Sequence, residues 1–129
     1  GAAGAACTDI AAAEGWQPVE ASGEVLGVHA AGSWTAGDGR LRRVGAQGHP
    51  GTGERDARLV PEIAFGALIV GDGAGRVMTY EALERTAMGA LMAGRSFRVG
   101  GLVARINEAD AGLGDNAGAL TLCIETAGE

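Results

Sequence analysis

Lysine is absent from this chain. Its ten cationic residues are all arginine, set against 16 carboxylates, for a formal net charge of -6. Phosphate binding needs a concentrated positive face, so this balance argues against nucleic acid as a partner. Aromatic residues make up only 4% of the sequence, so a core must be built from Ala, Val, Leu and Ile around a few anchors such as Trp16, Trp34 and Phe65. No run approaches the ~18 consecutive apolar residues of a membrane-spanning helix, which excludes that kind of span. Serines are few, and neither cysteine has a histidine nearby in sequence, so no nucleophile stands out and a catalytic role is not expected.

Glycine is plentiful instead: 24 residues spread along 129, without a G-X-Y period. That distribution reads as many turns between short strands rather than as collagen or a disordered tract. The length suits one domain with a full core. Short apolar runs bounded by Gly, Asn, Asp and Pro begin at Gly23 and predict strands over Glu24 to Ala31, Phe65 to Val70, Phe97 to Asn107 and Ala119 to Thr126. A long loop, Gly37 to Pro61, separates the first two, and long loops at the end of a sandwich often carry function. Residues 1–22 are Ala-rich and weakly patterned, which predicts an N-terminal extension, with one helical turn over Asp9 to Glu14, ahead of a domain at 23–129. GDGAG at 71–75 lacks dinucleotide and P-loop spacing and follows a strand, so it reads as a hairpin turn. Only YEALERTAMGALMA, 80–93, has helical composition, with Leu83, Ala87, Ala90 and Leu91 on a stripe and Gly94 to stop it. Met88 and Met92 are expected to pack in the core.

In the last strand, Leu120, Leu122 and Ile124 alternate onto one face and leave Thr121, Cys123 and Glu125 on the other. Cys123 thus faces away from the main core, where an N-terminal segment carrying Cys7 can reach it; a disulfide and a pair of thiols both remain open. A disulfide would suit a secreted protein, and the opening GAAGAAC fits the remnant of a processed leader. Arg40, Arg42 and Arg43 form the one local basic cluster and read as solvated surface, an anionic-ligand site being the sharper alternative.

The stretch INEADAGLGDNAG, 106–118, is the most informative. Asn107, Glu108, Asp110, Asp115 and Asn116 lie within ten residues and are interleaved with Gly112, Gly114 and Gly118. Calcium takes six to eight oxygen ligands from carboxylates, amides and backbone carbonyls, and glycines let carbonyls turn toward one point. The loop offers all three kinds of oxygen, although it lacks EF-hand spacing. Its plain reading is a polar turn joining two strands.

The run INEADAGLGDNAGALTLCIE also resembles the cation-and-sugar segment of the calcium-dependent, galactose-binding bacterial lectins of the cytotoxic Pseudomonas type. Three further stretches resemble that family in order: GEVLGVHAAGSWTAG at 23–37, GAQGHPGTG at 45–53 and FGALIVGDG at 65–73. The resemblance spans about residues 23–126, with 77–89 as an insertion and 1–22 without a counterpart. It implies an all-β, jelly-roll-like sandwich of the galactose-binding kind, to which the composition of the chain adds one short helix around 80–93. It further implies calcium held by the carbonyls of Ala36 and Gly112 and the side chains of Glu108, Asp115 and Asn116. Two adjacent sugar hydroxyls would complete the shell, with Glu108, Asp115, Asn116, His49 and Thr52 contacting the sugar. Glu108 stands where the family has Asp, Leu113 where it has an aromatic, and Ala36 where it has Tyr. The extra methylene of Glu108 moves its carboxylate, and Ala36 removes a wall of the pocket. Outside the resemblance, His49 reads as a loop histidine, and Trp34 as a core anchor before a stacking platform.

The function expected is therefore a secreted, non-catalytic, calcium-dependent lectin-like module for galactose or a related glycan, multiplied as a homo-oligomer. The alternative is an assembly subunit, in which residues 1–22 act as an arm and the calcium loop is degenerate or only stabilising.

Overall fold

The computed structural model describes residues 4–52 and 57–127. The chain is mostly β. Strands β1 (Gly4–Ala11), β2 (Gln17–Pro18), β3 (Gly23–Thr35), β4 (Leu68–Gly71), β5 (Val77–Thr79), β6 (Arg98–Val99), β7 (Val103–Ile106) and β8 (Ala117–Thr126) accompany one helix, α1 (Tyr80–Met92). They form two four-stranded antiparallel sheets, ordered β1-β8-β3-β6 and β2-β7-β4-β5. One hydrophobic cluster draws on both sheets and the helix, from Ile10, Val28, Leu120, Leu122 and Ile124 to Leu68, Val70, Ile106 and Leu83.

The alternation expected in the last strand is present: Leu120, Leu122 and Ile124 are buried while Ala119 and Glu125 are exposed. In β3 the two core residues Val25 and Val28 stand three apart, which a period of two does not allow. A register shift between Val25 and Gly27 inserts the extra residue and returns Val28 to the core face. GDGAG is the hairpin link between β4 and β5, held by the Asp72 carboxylate, which accepts from the amides of Ala74 and Arg76 at 2.8 and 3.1 Å. The helix runs where its composition predicts, but Leu91, expected on the stripe, is exposed because it sits at the edge of the face shared by the other three. Thr79 caps it by accepting from the Ala82 amide at 3.0 Å, and Leu83, Ala87 and Ala90 are its buried face. Gly94, at φ 71°, ends it where the Arg95 amide turns back to the Ala90 carbonyl.

Several expectations are corrected. Residues 9–11, expected within a helical turn, lie in β1, and the described part of 1–22 supplies one strand to each sheet. The single strand Phe97 to Asn107 is two strands in different sheets; Gly100 and Gly101 let the chain cross between them. Phe65 precedes its strand because Gly66, at φ 78°, breaks the extended backbone before Leu68. Trp16 is 41% exposed rather than a core anchor, and Met92 is 89% exposed because it lies on the helix face opposite Leu83; Met88 does pack against the core. Trp34 is the central anchor, fully buried, its indole N–H donating to the Gly66 carbonyl at 2.9 Å. Cys7 and Cys123 are directly paired across β1 and β8 and form a disulfide, so the N-terminal segment lies beside the last strand in the same sheet.

Candidate functional site

Two loops meet at one end of the sheets. The first leaves β3 at Thr35 and is folded tightly: the Thr35 hydroxyl donates to the Leu41 carbonyl at 3.0 Å, and the amides of Arg40 and Leu41 both return to the Gly37 carbonyl. A mutual pair of backbone bonds between Trp34 and Val44 closes its base. The second loop joins β7 to β8 and contains a 3₁₀ turn, Asp110–Asp115. The Asp38 amide donates to the Asp115 carbonyl at 2.7 Å and fastens one loop to the other.

At this junction Glu108 is buried, and its carboxylate accepts from the Asn116 amide nitrogen at 2.6 Å. Its other oxygen is seated against the α-carbon of Gly112, in space a Cβ would fill. Burial pushes its pKa up to about 7, and the Asp115 charge adds to this; the hydrogen bond from Asn116 and the charges of Arg40 and Arg105 pull the other way. The same Asn116 nitrogen donates to the Ala12 carbonyl at 2.8 Å. Both partners are acceptors, which fixes the orientation of the amide. Its oxygen, Oδ1, is then left buried without a hydrogen-bond partner. Asp115 is more open, with its carboxylate 3.1 Å from the Arg40 guanidinium.

His49 is buried and lies against Phe65, with ring centroids 6.1 Å apart. Its Nε2 accepts from the Ala36 amide at 3.2 Å, so the proton of the neutral ring sits on Nδ1. Burial holds its pKa below the usual histidine value, assisted by the Arg42 charge. His49 thereby fixes Ala36, and the Thr52 amide closes the following turn on the His49 carbonyl at 3.1 Å. Glu108, Gly112, Asp115 and Asn116 are thus brought together beside the Ala36–Arg40 segment, with His49 and Thr52 behind it. Among the described residues no group of three His, Cys, Asp or Glu side chains is placed to hold a metal. The constellation here has two carboxylates, and the further oxygens would come from an amide and the backbone.

Sequence reasoning missed the support underneath. Arg105, in β7, is almost fully buried and donates to the carbonyls of Glu108 at 2.7 Å and Ile106 at 3.1 Å. It pairs with Asp110 at 2.7 Å and stands 5.7 Å from the centre of the Trp16 ring. Asn107 does comparable work, donating to the carbonyls of Val60, Ile63 and Ala64 and accepting from the Val60 amide, which ties the preceding loop down. No spacing in the sequence marks either role, because their partners come from remote loops. Two further concavities lie away from the Glu108–Asn116 junction. One, of about 190 Å³, opens between α1 and β6 over Leu83, Phe97 and Leu102; a shallower one of about 400 Å³ runs beside Trp16 and Val77. No protein-family model matches the chain, and no curated protein is similar enough to it to count as a match.

Proposed function

We propose that this domain binds a saccharide through calcium, without catalysis, using Glu108, Asp115 and Asn116 with the carbonyls of Ala36 and Gly112. One observation carries the reading: Asn116 Oδ1 is buried, unpartnered and next to a buried carboxylate. An unsatisfied buried acceptor is costly, and a hard cation that collects oxygens would relieve it and Glu108 together. Asp115 brings the second charge. Sugar hydroxyls in place of water in such a shell would give recognition with no bond broken. Galactose is the first candidate glycan, on the four ordered resemblances, with His49 and Thr52 behind the Ala36–Arg40 segment. The order β1-β8-β3-β6 and β2-β7-β4-β5, in which the chain passes back and forth between sheets, supports the finer reading of a jelly roll, an architecture lectins use. The disulfide suits an oxidising, secreted setting.

Calorimetry of the whole chain with galactose and a glycan panel, with calcium and with chelator, tests this. Binding should require calcium and vanish in Glu108→Ala and Asp115→Ala. No heat at millimolar sugar in either condition would end the proposal. The alternative, an assembly subunit with a merely stabilising calcium loop, has one observation in its favour. Among the described residues strand β1 pairs on one side only, leaving a long edge on which a second copy could add a strand. Ala5→Lys, a charge at an exposed position of that edge strand, should then reduce the assembly to monomers in light scattering while leaving the far-UV ellipticity native.

A further inference from the structure

Arg40, Arg42 and Arg43 leave the loop after β3 at three points around the candidate site. The Arg40 guanidinium lies over Gly37, where a Cβ would come within 2.6 Å of it, and reaches Asp115 at 3.1 Å. Arg42 stands close enough to His49 for its charge to act on the ring. Arg43 extends the other way, its guanidinium 2.6 Å from where a Cβ on Gly118 would stand, just beyond Asn116. All three are exposed, while the residues between and beside them are pinned: Leu41 by Thr35, Val44 by Trp34. The loop therefore holds the backbone still and sets three exposed positive side chains around the junction, in a chain whose net charge is -6.

Charge balance then points to the occupant. Without a cation, Arg40 offsets Asp115. A divalent cation on Glu108 and Asp115 would neutralise both carboxylates, and among the described residues no other carboxylate is paired with Arg40, Arg42 or Arg43. An arginine rim accommodates a carboxylate through paired N–H donors, and a neutral sugar would leave it unanswered. We infer that the saccharide taken by this site is acidic, its carboxylate facing Arg40, Arg42 and Arg43 while its hydroxyls face the Glu108–Asn116 side. This rests on the reading of the junction as a saccharide site and names the class of sugar.

The test compares methyl galacturonide with methyl galactoside on the intact chain in calcium, by calorimetry at low and high salt. At low salt the uronide should bind about tenfold more tightly, and the margin should shrink as salt screens the arginines. In the triple variant Arg40→Gln, Arg42→Gln, Arg43→Gln, checked for native far-UV ellipticity, the ratio of the two affinities should fall to about one, whatever the absolute affinity for galactoside. A single Arg40→Gln variant should lose part of the margin and covers the case in which the triple variant fails to fold. Galactoside binding with no preference for the uronide, or a preference the variants keep, overturns the inference and leaves the lectin reading standing. Failure of both sugars to bind overturns both. Uronide binding that survives chelation and is lost in the variants supports the arginine rim and removes calcium from the reading.

Discussion

The side-chain amide of Asn116 donates to the carboxylate of Glu108 and to the carbonyl of Ala12 from one nitrogen, at 2.6 and 2.8 Å. It therefore joins the turn after β1 to the loop before β8. Asn116→Ala strips both acceptors of their donor at a buried point. The expected loss is about 1–3 kcal/mol, read from urea denaturation. A cost below a few tenths would show that water replaces the amide freely.

Glu108 makes stability depend on pH. Its pKa in the fold is about 7, above the ordinary carboxylate value of 4.5. Folding favours the protonated form, so this contribution is fully present below the unfolded pKa and is lost as pH rises through 7. The cation-free chain should lose about 1–3 kcal/mol between roughly pH 5 and pH 8. Glu108→Gln should flatten that slope. Denaturation midpoints across this range, for both proteins in chelator, provide the check.

Gly112 is required by a neighbour's side chain, since its φ is not in the left-handed region and the three atoms nearest to where a methyl group would stand all belong to Glu108. Gly112→Ala should cost about 1–3 kcal/mol, the range for overpacking. In a Glu108→Ala background the cost should largely disappear. A double-mutant cycle giving additive effects would refute the contact.

Arg105 and Asp110 are unequal partners. The Arg105 side chain is 3% exposed and that of Asp110 77%. Asp110→Asn should change stability by less than about 1 kcal/mol, as for a surface pair. Arg105→Ala removes the donor to Glu108 and the support under Trp16, with an expected cost of about 2–4 kcal/mol. Thermal denaturation of the two variants side by side would show the asymmetry.

What the sequence revealed follows from how local the signal was. The alternation of Leu120, Leu122 and Ile124, the GDGAG hairpin and the Leu83–Ala87–Ala90 stripe are contiguous patterns, and each is found in place. Strand β1 escaped because its Ala-rich residues carry little contrast between faces; Ile10 is its one large core residue. Glu108, Asp115 and Asn116 lie in one loop and were legible together. Arg40 is 75 positions from Asp115 and Ala12 is 104 from Asn116, so these contacts exist only once β3 and β1 flank β8. The sequence placed Trp16 inside because tryptophan is usually an anchor; the fold turns it outward onto Arg105.

The Cys7–Cys123 bridge has a mechanical meaning. Since β1 and β8 are antiparallel, Gly4 stands opposite Thr126, and tension applied at these two points would unzip the pair from that corner. Only the Gly4, Ala5 and Ala6 rungs lie outside the bridge. Force would open that short stretch and then reach a covalent stop, leaving the 116-residue separation between the cysteines shielded from the load. Reducing agent would remove the stop, and a pulling experiment should then record the full contour length where it had recorded only a few residues.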